Sequence, residues 1–213
     1  MKNRERTLAE KLLQINAIKL QPDMPFVWGS GWNSPIYNDN RRLLSYPDVR
    51  NQIKVEAARA ILEYFPEAEV VASVSTVAIP MGAIVADVLG IPFIFVRDTP
   101  KDHGLENQIE GSLRPGQHVV MFEDVISTGG SSLKAAEAIR LAGGEIDGVV
   151  AVFNYEFPAS VKRLHDDDIQ VVNLTTFSRM IEAAAELEYV ASEDLAALEE
   201  WRKDPANWVP GKF

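Results

Sequence analysis

Between Val70 and Val96 the chain runs 27 residues with one charged side chain, Asp87, and the rest of the fold depends on what this stretch becomes. Length alone would allow a membrane-spanning helix. Pro80, Gly82, Gly90 and Pro92 instead cut it into an apolar run, a small-residue helical segment and a β-rich run ending in Phe93-Ile94-Phe95-Val96. The expectation is a buried strand, helix and strand, with no membrane partner.

The same alternation continues downstream. Val119-Val120-Met121-Phe122 and Val149-Val150-Ala151-Val152-Phe153 are continuous apolar runs of the kind that fill strands buried on both faces. Between them Leu133, Ala136 and Ile139 recur at helical spacing, and Gly143-Gly144 supplies a stop. A helix around Ala159 to Leu164 and a fifth strand from Ile169 to Leu174 complete the pattern. Alternating elements of this kind predict an α/β fold, a doubly wound and mostly parallel sheet. Upstream, Leu8, Leu12 and Ile15 mark one amphipathic helix, and Val49, Ile53, Ala57, Ile61 and Tyr64 mark another. A final helix is expected near Ser192 to Lys203. With no repeat or low-complexity linker, the reading is one domain over 1–213: an N-terminal helix and hood at 1–45, a core sheet at 66–175 and C-terminal helices at 176–213.

Charge and cysteine narrow the chemistry. Lys and Arg total 21 against 31 Asp and Glu, a net charge of −10, the wrong sign for neutralising nucleic-acid phosphates, so no nucleic-acid partner is expected. With no cysteine, thiolate nucleophiles, disulfides and cysteine-ligated metals are excluded. The opening MKNRERTLAEKL carries four basic residues before any apolar stretch. It lacks the hydrophobic region of a signal peptide, and a cytoplasmic location is expected.

The segment richest in chemistry runs Phe122-Glu123-Asp124-Val125-Ile126-Ser127-Thr128-Gly129-Gly130-Ser131-Ser132. A buried strand is predicted to end in two carboxylates, and a turn with glycines and hydroxyls then opens a helix. Glycines let backbone N–H groups approach an anion, hydroxyls add donors, and the helix N-terminus adds partial positive charge, so the turn suits a terminal phosphate. The carboxylates suit vicinal hydroxyls. Together they describe a sugar phosphate. The spacing of a Walker A loop is absent.

These residues, from Val119 to Ser132, resemble the phosphoribosyl-pyrophosphate (PRPP) signature of the type I phosphoribosyltransferases. Pro100-Lys101-Asp102-His103-Gly104, followed by Glu106-Asn107-Gln108-Ile109-Glu110-Gly111, resembles the catalytic loop of orotate phosphoribosyltransferase. Phe26-Val27-Trp28, Ser30-Gly31-Trp32-Asn33-Ser34-Pro35-Ile36-Tyr37 and Asp39-Asn40-Arg41 resemble that enzyme's hood over the base. The three motifs occur in the family's order and span about residues 7 to 185.

The resemblance implies transfer of the phosphoribosyl group from PRPP to orotate, giving orotidine 5′-phosphate and pyrophosphate in pyrimidine (UMP) biosynthesis. It implies a homodimer with shared active sites, and Mg²⁺ that arrives with PRPP and needs no permanent metal site. Glu123 and Asp124 would hold the ribose hydroxyls, and Val125, Ile126, Ser127, Thr128, Gly129, Gly130 and Ser131 would form the phosphate cradle. Arg97, Lys101 and His103 match positions that bind pyrophosphate, commonly in the neighbouring subunit's site. Lys101, His103 and Asp124 are the catalytic candidates; Ser127, Tyr37 and Tyr155 are the orotate contacts. Two rivals are a phosphoribosyltransferase for another nucleobase and a non-catalytic PRPP-binding regulator.

Departures from the family pattern also carry expectations. Ser73 and Ala78 flank Val77 in the loop after the first sheet strand, where glycines are frequent, and their Cβ atoms could restrict the approach to pyrophosphate. Asp98 and Thr99 follow Arg97 where many relatives carry another lysine, and Tyr155 stands where one branch uses an orotate-binding arginine. His118 precedes a strand. His165 beside Asp166-Asp167-Asp168 is read as part of an exposed acidic turn, not a metal site.

Overall fold

The computed structural model describes residues 2–74, 76–97 and 108–211. The N-terminal part comprises helix α1 (Lys2–Gln14), strands β1 (Ile18–Leu20), β2 (Phe26–Val27), β3 (Asn33–Ser34) and β4 (Ile36–Asn38), a 3-10 turn at Asn40–Ser45 and helix α2 (Pro47–Tyr64). The core follows as β5 (Val70–Val74), α3 (Ile79–Leu89), β6 (Phe93–Val96), β7 (Ile109–Glu110), β8 (His118–Ile126), α4 (Gly130–Leu141), β9 (Glu145–Asn154), α5 (Pro158–Asp166) and β10 (Val171–Thr176). Helices α6 (Phe177–Glu186) and α7 (Ser192–Lys203) close the chain. Prolines sit in the first turn of α2, α3 and α5, where the missing N–H costs no intrahelical bond.

The core sheet has the order β10-β9-β8-β5-β6-β7, parallel throughout except for β7 at the edge. Its strands divide their apolar residues between two faces by the period-two rule. Val71, Val120, Phe122, Val150 and Val152 face a core built with α1, α2, α3, α6 and the N-terminal strands. Val70, Ala72, Val119, Met121, Val149 and Ala151 face a second core with α4 and α5. Both faces are covered, as a parallel sheet requires. The fold class is therefore that expected from the sequence, with the Val70–Val96 stretch folded as β5, α3 and β6.

The chain goes from β5 outward to β6, then returns to place β8 on the opposite side of β5. That reversal creates a crevice at the carboxyl ends of β5 and β8, the place where open α/β sheets bind ligands. No helix among the described residues is long and apolar enough to cross a membrane.

Several boundaries differ from the sequence expectations. The fifth strand lies at Val171–Thr176 instead of Ile169–Leu174, because Ile169 is buried against the α4–α5 face before the ladder with β9 begins. Helix α6 falls within the C-terminal helices expected at 176–213, although the sequence pattern bounds only the last of them, near Ser192 to Lys203. Its start is set by Thr176, whose hydroxyl caps the amide of Arg179.

Two of the residues that depart from the family pattern, Ser73 and Ala78, lie inside the fold. Both are fully buried, and the Ser73 hydroxyl donates to the Ala78 carbonyl at 3.2 Å. Ser73 forces its neighbour: a Cβ on Gly82 of α3 would collide with the Ser73 hydroxyl, so only glycine allows α3 this close to β5.

Candidate active site

The two carboxylates do not end β8, as the sequence suggested. The strand continues to Ile126 because Val125 and Ile126 pair with Phe153 and Asn154 of β9. Glu123 and Asp124 therefore sit inside the ladder, and the pleat sends neighbours to opposite faces. Glu123 turns towards α4 and is buried. Its Oε1 accepts the Ser132 hydroxyl at 2.7 Å and the Ser131 hydroxyl at 3.1 Å, bracing the first turn of α4 against the strand.

Asp124 turns towards the N-terminal strands. Burial pushes its carboxyl up to about 6, and Asp39 adds to the rise, while the backbone amides of Asp124 and Val125, and Arg41, oppose it. Its backbone carbonyl accepts the Asn40 side-chain amide at 2.6 Å. The hood motif Asp39-Asn40-Arg41 is thus bonded directly to the acid pair. Asp39 is itself held below its usual range by the Arg41 guanidinium, 2.5 Å away.

After Ile126 the turn runs through Ser127 and Thr128 to Gly129, whose φ of 73° few other residues adopt. Helix α4 starts at Gly130, and the Leu133 amide closes the first turn on the Gly129 carbonyl at 3.1 Å. Arg163 of α5 holds the turn from outside by donating to the Thr128 carbonyl at 3.2 Å. The first amides of α4 have no intrahelical acceptor, so this turn presents donors and a positive helix end to an anion.

A cavity of about 590 Å³ opens between this turn and the hood. Ser127 and Thr128 form one wall, while Trp28, Trp32 and Tyr37 come from the hood and Tyr155 follows β9. The structure therefore brings all three candidate base contacts, Ser127, Tyr37 and Tyr155, to one space. Trp28 stacks on Trp32 with centroids 6.4 Å apart and 20° between planes, and meets Tyr155 edge-on at 5.3 Å. Burial drives the Tyr155 phenol far above its usual range, so it serves as a neutral hydroxyl. Aromatic walls with hydroxyls at one end suit a flat heterocycle with a polar edge.

A smaller hollow of about 240 Å³ lies on the other flank of the turn, where Arg97, Ser131 and Lys134 meet. Arg97 follows β6 and pairs with Glu110 at 3.6 Å. Lys101 and His103 lie outside the described residues, as do Asp98 and Thr99. Away from the site, Asp166 and Asp167 pair with Lys162 and Arg140.

Sequence reading missed Lys134, Asn40 as the tie to Asp124, and the two tryptophans as cavity walls. Lys134 had a usable signal, since it stands four residues into a helix opened by the phosphate turn. The tryptophans had none beyond their motif, because period and composition do not say which ring faces a cavity.

Comparison with known proteins agrees with this geometry. Residues 43–191 match the phosphoribosyl transferase domain family. The chain is 56% identical to the orotate phosphoribosyltransferase of Bacteroides thetaiotaomicron, with both chains fully covered. A solved orotate phosphoribosyltransferase from Aeropyrum pernix is 27% identical, covers 86% of this chain and 99% of its own, and superposes with a TM-score of 0.71. The UMP synthase of Leishmania donovani shares the fold at a TM-score of 0.80, with 23% identity over 94% of this chain and 42% of that one. A phosphate turn beneath an aromatic hood, on a sheet of this order, is what full-length identity to such relatives would lead one to find, and the chain belongs to the orotate phosphoribosyltransferase family.

Proposed function

We propose that this protein is an orotate phosphoribosyltransferase that joins N1 of orotate to C1 of PRPP. The N–C bond forms as the C1–O bond to pyrophosphate breaks; the electron pair of that bond leaves with pyrophosphate, and the proton of N1 is given up to solvent, leaving the N1 lone pair to make the new bond. The observation that carries the reading is the cavity walled on one side by the helix-opening turn at Ser127 and Thr128 and on the other by an aromatic hood, with the Asp124 charge close enough to act on Tyr155 of its lining. The 5-phosphate would sit on the amides and hydroxyls of Ser127 to Ser131. Asp124, ionised above about pH 6, would accept ribose hydroxyls and face the positive charge that develops on C1. Glu123 would act from behind the turn through the two serines it already holds. Orotate would lie against Tyr37 and Tyr155 with its polar edge towards Ser127, and Arg97 would take the pyrophosphate side.

Among the described residues no three His, Asp or Glu side chains converge on a metal-sized space. The donor set fits an ion carried in by substrate oxygens and met by one protein carboxylate, here Asp124, since Glu123 is buried on the other face of β8 against Ser131 and Ser132. Mg²⁺ bound in that way would neutralise charge on the leaving pyrophosphate.

The deciding experiment follows the loss of orotate absorbance on adding PRPP and Mg²⁺. Turnover that stops on chelation and returns with Mg²⁺ is expected; no turnover, or turnover that survives thorough chelation, contradicts the reading. We further propose a two-fold dimer in which Lys101 and His103 serve the partner's site. Mixing Lys101→Ala with Asp124→Asn makes about half the dimers mixed, and about a quarter of all sites would then carry neither defect. Activity that stays at the parental level after confirmed subunit exchange refutes the shared site.

A further inference from the structure

The domain family matched by this chain covers 43–191, and the hood lies before it while α7 lies after it. These two outlying segments meet at one side chain. Trp201, in the last turns of α7, is fully buried. Its indole Nε1 donates to the Asn33 carbonyl of β3 at 3.1 Å. Its ring meets Trp28 edge-on at 5.7 Å and 80°, and Tyr155 at 5.7 Å and 72°. Trp28 and Tyr155 are two walls of the cavity.

The hairpin that carries Trp28 and Trp32 is held only weakly by its own pairing. Strands β2 and β3 pair over only two residues each, and an isolated two-stranded hairpin is marginal in water. Val27 at its edge is 71% exposed. Within it the Trp28 amide donates to the Trp32 carbonyl at 2.9 Å, and the Gly31 amide to the Trp28 carbonyl at 2.8 Å. Outside the hairpin, Trp28 Nε1 donates to the Ile36 carbonyl at 3.2 Å, the Trp28 ring packs on Tyr155 at 5.3 Å and Phe157 at 6.3 Å, and Phe26 meets Tyr37 at 5.4 Å. Trp201 grasps both arms at once, one through the Asn33 carbonyl and the other through the Trp28 ring. The phosphate turn is held separately, by Glu123 and Arg163.

We propose that Trp201 is a positioning residue for the base: α7 clamps the hood hairpin over the cavity, so that this C-terminal helix sets base affinity without touching the base and without acting on PRPP. The clamp is independent of the orotate reading, but its kinetic consequence rests on that reading.

Two variants separate the parts. Trp201→Phe keeps a ring against Trp28 and Tyr155 but removes the bond to Asn33, and Trp201→Leu removes both. One hydrogen bond and one aromatic pair translate to an orotate KM raised about threefold in Trp201→Phe and about tenfold in Trp201→Leu, with the PRPP KM held within about twofold. A merely structural residue would move both constants, or only the melting temperature. An unchanged orotate KM in folded Trp201→Leu, or parallel changes in both constants, overturns the proposal. If Trp201→Leu does not fold, Trp201→Phe decides by the same split. Hydrogen exchange supplies the arm that does not need turnover. The Trp28 and Gly31 amides should exchange about threefold faster or more in Trp201→Phe, while the Leu133 amide at the phosphate turn keeps its rate. Equal exchange in the hairpin overturns the clamp. A wild-type protein that leaves orotate unconverted overturns the orotate reading alone and leaves exchange to decide.

Discussion

The phosphate turn and the hood face each other across one cavity and are built by opposite means. The turn joins a nine-residue strand in the sheet's interior to a twelve-residue helix, and a buried carboxylate with two hydroxyls locks the joint. Its shape is set by backbone and short side chains, so the same few residue types recur wherever that job is done. The hood is two short strand pairs whose position depends on rings, Trp28 against Trp32, Tyr155 and Trp201. A rigid anion cradle can be shared by enzymes that act on many bases, whereas a wall of side chains can be altered ring by ring. On the proposed function the labour divides: PRPP would be recognised by the turn and the base by the hood.

The largest effect should come from breaking the turn's charge. Asp124→Asn keeps shape and removes the carboxylate, and we expect kcat to fall tenfold or more, as the loss of a charged hydrogen bond and of its field on C1 implies. The same change should stabilise the fold. An acid whose folded pKa is raised, here to about 6, favours folding when protonated, and that stability is lost as pH rises through the folded value. Above pH 6 the ionised carboxylate is a cost on the order of 2 kcal/mol after allowing for its partial exposure. Asp124→Asn should therefore melt higher than wild type at pH 7.5 and lose that advantage near pH 4. Equal melting at both values would show that Asp124 is not held in a desolvated place.

Next in size is Gly129→Ala, which forces a Cβ onto a φ of 73°. The left-handed region costs other residues about 1 to 2 kcal/mol, and the turn can relieve it by moving its amides. The PRPP KM should rise about five- to thirtyfold with the orotate KM little changed. Trp32→Ala makes the converse test, raising the orotate KM about three- to tenfold and sparing PRPP. If either substitution moves both constants alike, the division of labour fails.

The smallest effect lies at the far end of the sheet. His118 bonds Asp147 at 2.7 Å with Glu145 nearby, and the Asp147 bond and charge raise its pKa. A histidine raised in this way stabilises the fold fully below about 6.5, and the contribution fades as pH climbs through the folded value. The melting difference between wild type and His118→Gln should be larger at pH 5.5 than at pH 8.5, with kinetics unaltered.

Much of this division was legible from residues alone. Continuous apolar runs gave the parallel strands, and Gly129-Gly130 after an acid pair gave the anion turn, because both are backbone features with short-range signatures. The strand's true end at Ile126 was not legible, since Val125 and Ile126 extend β8 only through pairing with β9. That Ser73 and Ala78 are buried was not legible either, because a residue at a position often held by glycine does not say which way its Cβ points. Trp201 was least legible: helical periodicity places it in α7, but only the fold brings it to Asn33, 168 positions away in sequence.

The most direct test of the account is pyrophosphate release with PRPP and Mg²⁺ fixed and the base varied among orotate, uracil, adenine and hypoxanthine. Release with orotate alone is the predicted result, because the turn would accept PRPP in every case and the hood would admit one base. Comparable release with any of the other three would contradict the claim that the hood chooses the base.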